Sequence, residues 1–156
     1  MRTFKLIIFL LALLLIQTVL LPFVTFFGAM PDLFLVAVVI YAVLSERGTS
    51  TIFAAGAGLL QDLFSAGFYV NTLAKVAISV LVGGIGDEVV GDARSFSASM
   101  VAIITPLYLI VEGVIIYLGG HHFSIFYYLL EILLTILYNL AFVPVVYFLL
   151  QKATSE

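Results

Sequence analysis

The sequence predicts an all-α integral membrane protein of six transmembrane helices with both termini in the cytoplasm, on three observations. Hydrophobic residues make up 64% of the 156-residue chain and charged residues 10%, with a mean hydropathy of +1.29. A soluble domain of this length cannot hide so much apolar surface, so the solvent is lipid. The apolar residues fall into runs separated by glycine, proline and short polar breaks, most of them long enough to span a bilayer. With six spans, Arg2, Lys5, Arg47, Arg94 and Lys152 share one side, and no turn on the other side carries Lys or Arg.

The first span runs from Leu6 to Phe27 behind Arg2 and Lys5. It is too long for the apolar core of a secretory signal, and Gly28-Ala29-Met30 is a poor cleavage site, so a retained anchor is expected. Pro31 and Asp32 open a second segment that ends at Ser45-Glu46-Arg47-Gly48. Its uninterrupted core, Leu33 to Leu44, is short enough to be re-entrant. That arrangement would move Arg47, Arg94 and Lys152 to the opposite compartment from Arg2 and Lys5, against the positive-inside rule. Proline at a first helical turn and aspartate beside a helix N-terminus make a sound start. Thr49–Gly67 and Asn71–Gly86 give the third and fourth spans, Ser97–Leu118 the fifth and Ser124–Leu150 the sixth. Pro106 and Pro144 fall inside the last two, where neighbouring helices can satisfy the freed carbonyls. No internal repeat or linker divides residues 1–156, which read as a single polytopic membrane domain.

Composition also removes function classes. A net charge of −3 leaves no basic patch for nucleic acid. The absence of cysteine rules out disulfides and thiolate metal sites. Gly84-Ile85-Gly86-Asp87 matches the Gly-x-Gly-Asp signature of intramembrane aspartyl proteases, but these need a second aspartate at contact distance. Asp62, the only aspartate in an adjacent span, is about 18 Å away along the membrane normal at 1.5 Å per residue. His121 and His122 are adjacent in a turn and point apart, with no carboxylate-rich loop for a metal. The glycines at Gly83–Gly86 end a helix, whose carbonyl end repels phosphate. No catalytic, cofactor or metal site is legible, and the chain is not expected to be an enzyme.

The intramembrane polar residues mirror one another. Asp62 and Lys75 are equally far from a turn near Phe68–Tyr69, and Glu112 and Glu131 are equally far from one at His121–His122. In antiparallel hairpins each pair meets at one depth, and ionisable groups inside a bilayer normally pair, line a cavity or meet a partner protein. Ala54, Gly58 and Asp62 share a helix face, as do Lys75, Ser79 and Gly83. Reflection sets Gly58 against Ser79 and Ala54 against Gly83, and small residues let helices approach closely. Asp62 and Lys75 then form a structural ion pair, with substrate or proton binding as the alternative. Thr105, Tyr108 and Glu112 form a second stripe, facing Glu131, Thr135 and Tyr138 or Asn139. Two carboxylates at one depth require a proton or an intervening cation, for which Lys75 is one candidate and a partner's Arg or Lys another.

The stretch Gly56-Ala57-Gly58-Leu59-Leu60-Gln61-Asp62-Leu63-Phe64-Ser65, followed by Gly67 and Asn71-Thr72-Leu73-Ala74, resembles the signature region of the rod shape-determining MreD family. Pro31-Asp32-Leu33 resembles that family's second segment, and the length, span number and basic N-terminus fit. Lys75, Glu112 and Glu131 do not match positions of the family pattern. The resemblance implies a non-enzymatic, cofactor-free subunit of the bacterial cell-elongation machinery in the plasma membrane. Its implied partners are an MreC-like bitopic protein, a RodA-type glycosyltransferase with its penicillin-binding transpeptidase and, indirectly, MreB. It also implies the six-helix fold of substrate-binding subunits of energy-coupling vitamin transporters. Those subunits carry Ala-x-x-x-Ala on their first helix, whereas Ala12 here is followed four residues on by Ile16. A small-molecule transporter subunit is the alternative function.

Overall fold

The computed structural model describes residues 2–64, 70–86 and 91–154. The first helix, α1, is regular over Arg2–Leu15, loosens into a π-helical turn at Ile16–Leu20 and tightens to a 3-10 turn at Leu21–Val24. Pro22 has no N–H to give a regular ladder, so the α-helical pattern is not resumed and the helix ends at Val24. The chain then reverses at Phe26–Ala29, whose N–H groups and carbonyls exchange hydrogen bonds of 3.1 and 3.0 Å. Phe27 and Gly28 both take positive φ (50° and 83°) at its centre. That is the conformation of a tight primed turn, and a phenylalanine there is strained.

Five further helices follow: α2 at Leu33–Leu44, α3 at Arg47–Phe64, α4 at Val70–Gly86, α5 at Ala93–Leu118 and α6 at Ile125–Thr154. They match the second to sixth segments read from hydropathy. The last two continue through Pro106 and Pro144. Among the described residues, Thr3–Val24, Ala93–Leu118 and Ile125–Thr154 are long and apolar enough to cross a membrane.

The doubtful second segment is the centre of the molecule. Every residue of α2 from Leu33 through Ala42 is buried, and the helix touches all five others. It is apolar all round because it is enclosed all round. Tyr41 stacks on Phe53 of α3 with ring centroids 4.5 Å apart. With 12 residues, α2 is about 18 Å long, well short of a bilayer's apolar core. Buried Pro31 and half-buried Asp32 continue its path, since non-helical backbone is tolerated at membrane depth when protein surrounds it.

α3 and α4 form the most extensive helix pair, but two helical turns away from the register expected by reflection. A Cβ on Gly58 would come within 2.8 Å of Asn71 O and Thr72 N, and one on Gly83 would lie 3.5 Å from Arg47 Cγ. Gly58 therefore faces Thr72 rather than Ser79, and Gly83 faces Arg47 rather than Ala54. The reflection assumed a turn centred at Phe68–Tyr69, which lies outside the described residues. The observed contacts centre the hairpin nearer to Phe64, with the first turn of α4 drawn back along α3.

Candidate functional site: a polar centre at the start of the buried helix

The N-terminus of α2 opens inside the bundle, where its free N–H groups must find protein partners. The Asp32 side chain caps it, accepting from Leu35 N at 2.9 Å. Asp32 N donates to Asn139 Oδ1 at 2.8 Å, and Leu33 N donates to Gln17 Oε1 at 2.9 Å. Pro31 has no N–H to satisfy. Asn139 Nδ2 donates to Thr105 Oγ1 at 3.0 Å, so α5 joins α6 and α1 at this point. The π-helical turn around Gln17 fits the usual place of such bulges, where a side chain must be re-aimed.

The second carboxylate oxygen of Asp32 receives Lys75 Nζ at 3.4 Å. Lys75 is fully buried, and its ammonium also lies 5.0 Å from the centroid of the Tyr108 ring. The expected Asp62–Lys75 pair is thus not the one that forms. Asp62 instead accepts Asn71 N at 3.1 Å, Thr72 N at 2.8 Å and Thr72 Oγ1 at 2.6 Å. It caps α4 from across the hairpin, where the helix dipole favours an anion. The shifted register is the reason: it brings the start of α4 to Asp62 and carries Lys75 past it to Asp32. At the other end of α4, the guanidinium of Arg47 reaches Gly84 O at 3.5 Å, a cation at the carbonyl end. Both charges on α3 therefore complement the dipole of α4. Asn71 also accepts the Tyr108 hydroxyl, linking α4 to α5.

Glu112 and Glu131 do come together, lining one cavity of about 180 Å³ with Asp32, Gln17, Gln61 and Thr135. A neighbouring cavity of about 410 Å³ shares Gln17, Gln61 and Glu112 and adds Leu14, Phe34 and Phe64. Lys75 gives its ion pair to Asp32. Asn139 rather than Tyr138 turns inward, since the Tyr138 hydroxyl donates to Val24 O at the surface. Gly113 makes room for the Tyr128 ring, whose hydroxyl donates to Leu109 O. Among the described residues no cluster of three or more His, Asp or Glu side chains could hold a metal.

The motif residues Pro31, Asp32, Gly58, Asp62 and Asn71 all take part in these contacts. Gln61 lines both cavities, and Gly56 faces a groove beside α1. Gly67 and Ser65, and Asp87 of the protease-like signature, lie outside the described residues. Gln17 was not among the residues expected from sequence, yet a lone amide in a membrane span is itself a signal of an interhelical bond.

The family model of rod shape-determining protein MreD matches residues 1–153. The chain belongs to the MreD family. This is a family of rod shape-determining membrane proteins and is not known as an enzyme family. No curated protein and no solved structure matches the chain. In this MreD-family protein, Asp32 caps the central helix and Asp62 caps α4 from across the α3–α4 hairpin.

Proposed function

We propose that this protein is a non-enzymatic subunit of the bacterial cell-elongation complex that holds the transmembrane helix of an MreC-like bitopic partner. It thereby helps position a RodA-type glycosyltransferase and its penicillin-binding transpeptidase, with MreB coupled indirectly. In this reading residues 1–156 form one polytopic domain of the bacterial plasma membrane with six spans. Both termini and the Arg47 and Arg94 turns face the cytoplasm, as the one-sided basic residues favour.

The observation that carries this reading, beside the family, is that the polar side chains are used to fasten helices to one another. Asp32, Asp62, Gln17, Asn71 and Asn139 all have helix-fixing partners. A bundle so fixed offers a surface, and in lipid such surfaces work through packing of small residues and interhelical hydrogen bonds. One such surface is an apolar groove of about 500 Å³ between α1 and α3, lined by Leu6, Leu10, Ile52 and Gly56. A Cβ on Gly56 would meet only Leu10 Cδ1, at 3.8 Å, so its backbone is open to a close helix approach. The groove between α5 and α6 offers no such floor, because the ring of Tyr128 already fills the space at Gly113.

A substrate-binding subunit of a vitamin-type transporter, with the corresponding six-helix fold, is the second reading, and the polar cavity favours it. Affinity purification from detergent separates the two. Recovery of an MreC-like partner, with rounding of rod-shaped cells on depletion, supports the scaffold. Tight, saturable binding of a vitamin-sized ligand with no partner recovered supports transport.

A further inference from the structure

The cavity at the polar centre is not explained by fastening. Three carboxylates line it, those of Asp32, Glu112 and Glu131, and the ammonium of Lys75 is taken by Asp32. Neither glutamate forms a hydrogen bond or ion pair among the described residues. A second group points the same way. Thr135 lines the same cavity and is 5% exposed, yet its hydroxyl has no hydrogen-bond partner among the described residues. Gln17, also buried, uses its amide oxygen on Leu33 N, and its amide nitrogen likewise donates to no described residue. Buried polar groups are normally satisfied. Here a hydroxyl, an amide N–H and two carboxylates line, without hydrogen-bond partners among the described residues, a space larger than a water molecule needs.

We infer that this cavity receives a primary ammonium group, held between Glu112 and Glu131 with Thr135 as the third acceptor. An ammonium has three N–H donors and no acceptor, which fits two carboxylates and a hydroxyl oxygen. The Gln17 amide N–H is left for an oxygen next to the amine, as in an ethanolamine unit. Quaternary ammonium groups offer no N–H, so they leave these acceptors unsatisfied. The adjoining cavity turns apolar at Leu14, Phe34 and Phe64 and reaches the surface at exposed Pro22 and Phe64. An ammonium on an acyl-bearing molecule can therefore enter head first, its chain beside Phe64.

The test is native mass spectrometry of the full-length protein, stripped of lipid in detergent and titrated with phosphatidylethanolamine, its N-methyl series up to phosphatidylcholine, and free ethanolamine. Phosphatidylethanolamine is expected to bind about tenfold or more tightly than phosphatidylcholine, since charge-assisted hydrogen bonds are lost on methylation. Affinity should fall stepwise along the series. Competition by free ethanolamine identifies the amine alone as sufficient; its failure to compete identifies the lipid as the source. The Glu112→Gln/Glu131→Gln variant should erase the preference, and Thr135→Val should reduce it. Should the double variant fail to fold, the methylation series on the unaltered protein decides alone. Equal binding of the ethanolamine and choline lipids by the unaltered protein overturns the inference.

Discussion

Lys75 Nζ lies 3.4 Å from Asp32 Oδ2, so the buried cation of the fourth helix secures the first turn of the second rather than its own hairpin. Removing one member of a buried pair leaves a charge that neither solvent nor protein compensates, at a cost of roughly 3–5 kcal/mol in soluble proteins. Asp32→Asn and Lys75→Met should each lower the melting temperature of the purified protein, and the double variant should be less damaged than their sum. By contrast, the coupling between Asp62→Asn and Lys75→Met, which runs through Asn71 and Tyr108, should be smaller than the one between Asp32→Asn and Lys75→Met. A coupling at Asp62–Lys75 that exceeds the one at Asp32–Lys75 reverses this assignment.

The contrast between two glycines of one helix gives a second prediction. Gly58→Ala sets a Cβ within 2.8 Å of Thr72 N and Asn71 O. Backbone cannot swing away as a side chain can, so the variant should lose about 1–3 kcal/mol, the usual range for overpacking. Gly56→Ala meets only a leucine methyl at 3.8 Å and should melt at or slightly above the temperature of the unaltered protein, since alanine favours helix. Chemical denaturation of both variants checks the difference; equal losses contradict the register described for α3 and α4.

The helical segments were legible because lipid imposes a simple code: long apolar runs, punctuated by glycine, proline and charge. The α2 start was legible too, from Pro31-Asp32. That α2 lies at the centre was not, because periodicity is silent when a helix is apolar on every side. The Asp62–Lys75 pairing failed through an assumption of symmetric reflection. A carboxylate near the end of one helix has a competing use at the exposed N–H groups of the next, and Asn71-Thr72 offered them. Glu112 and Glu131 line one cavity, on helices joined through a turn rich in glycine and histidine, Gly119-Gly120-His121-His122. The bond between Gln17 and α2 required a π-helical turn that no residue pattern announced.

Outside the spans, Asp92 caps α5 by accepting Ser95 Oγ at 2.7 Å and Ser95 N at 3.0 Å. Those bonds, the hydroxyl's first, hold its carboxyl below the ordinary aspartate value of 3.8. A carboxyl depressed in the folded state adds stability that is complete above its unfolded pKa and is lost as pH falls through the folded one. The gap in melting temperature between the unaltered protein and Asp92→Ala should thus hold steady from neutral pH down to about pH 5 and close below about 3.8. A gap that persists unchanged to the most acid conditions contradicts the charged cap.

The scaffold reading is tested most directly by site-specific photocrosslinking in living cells. A benzophenone amino acid replaces Ile52, 76% exposed in the α1–α3 groove, or Ile110, 51% exposed on α5. A crosslink is expected from position 52 to the transmembrane segment of an MreC-like protein, abolished by Gly56→Leu, and none from position 110. Crosslinking from position 110 alone, or from position 52 undiminished in Gly56→Leu, contradicts the proposed groove.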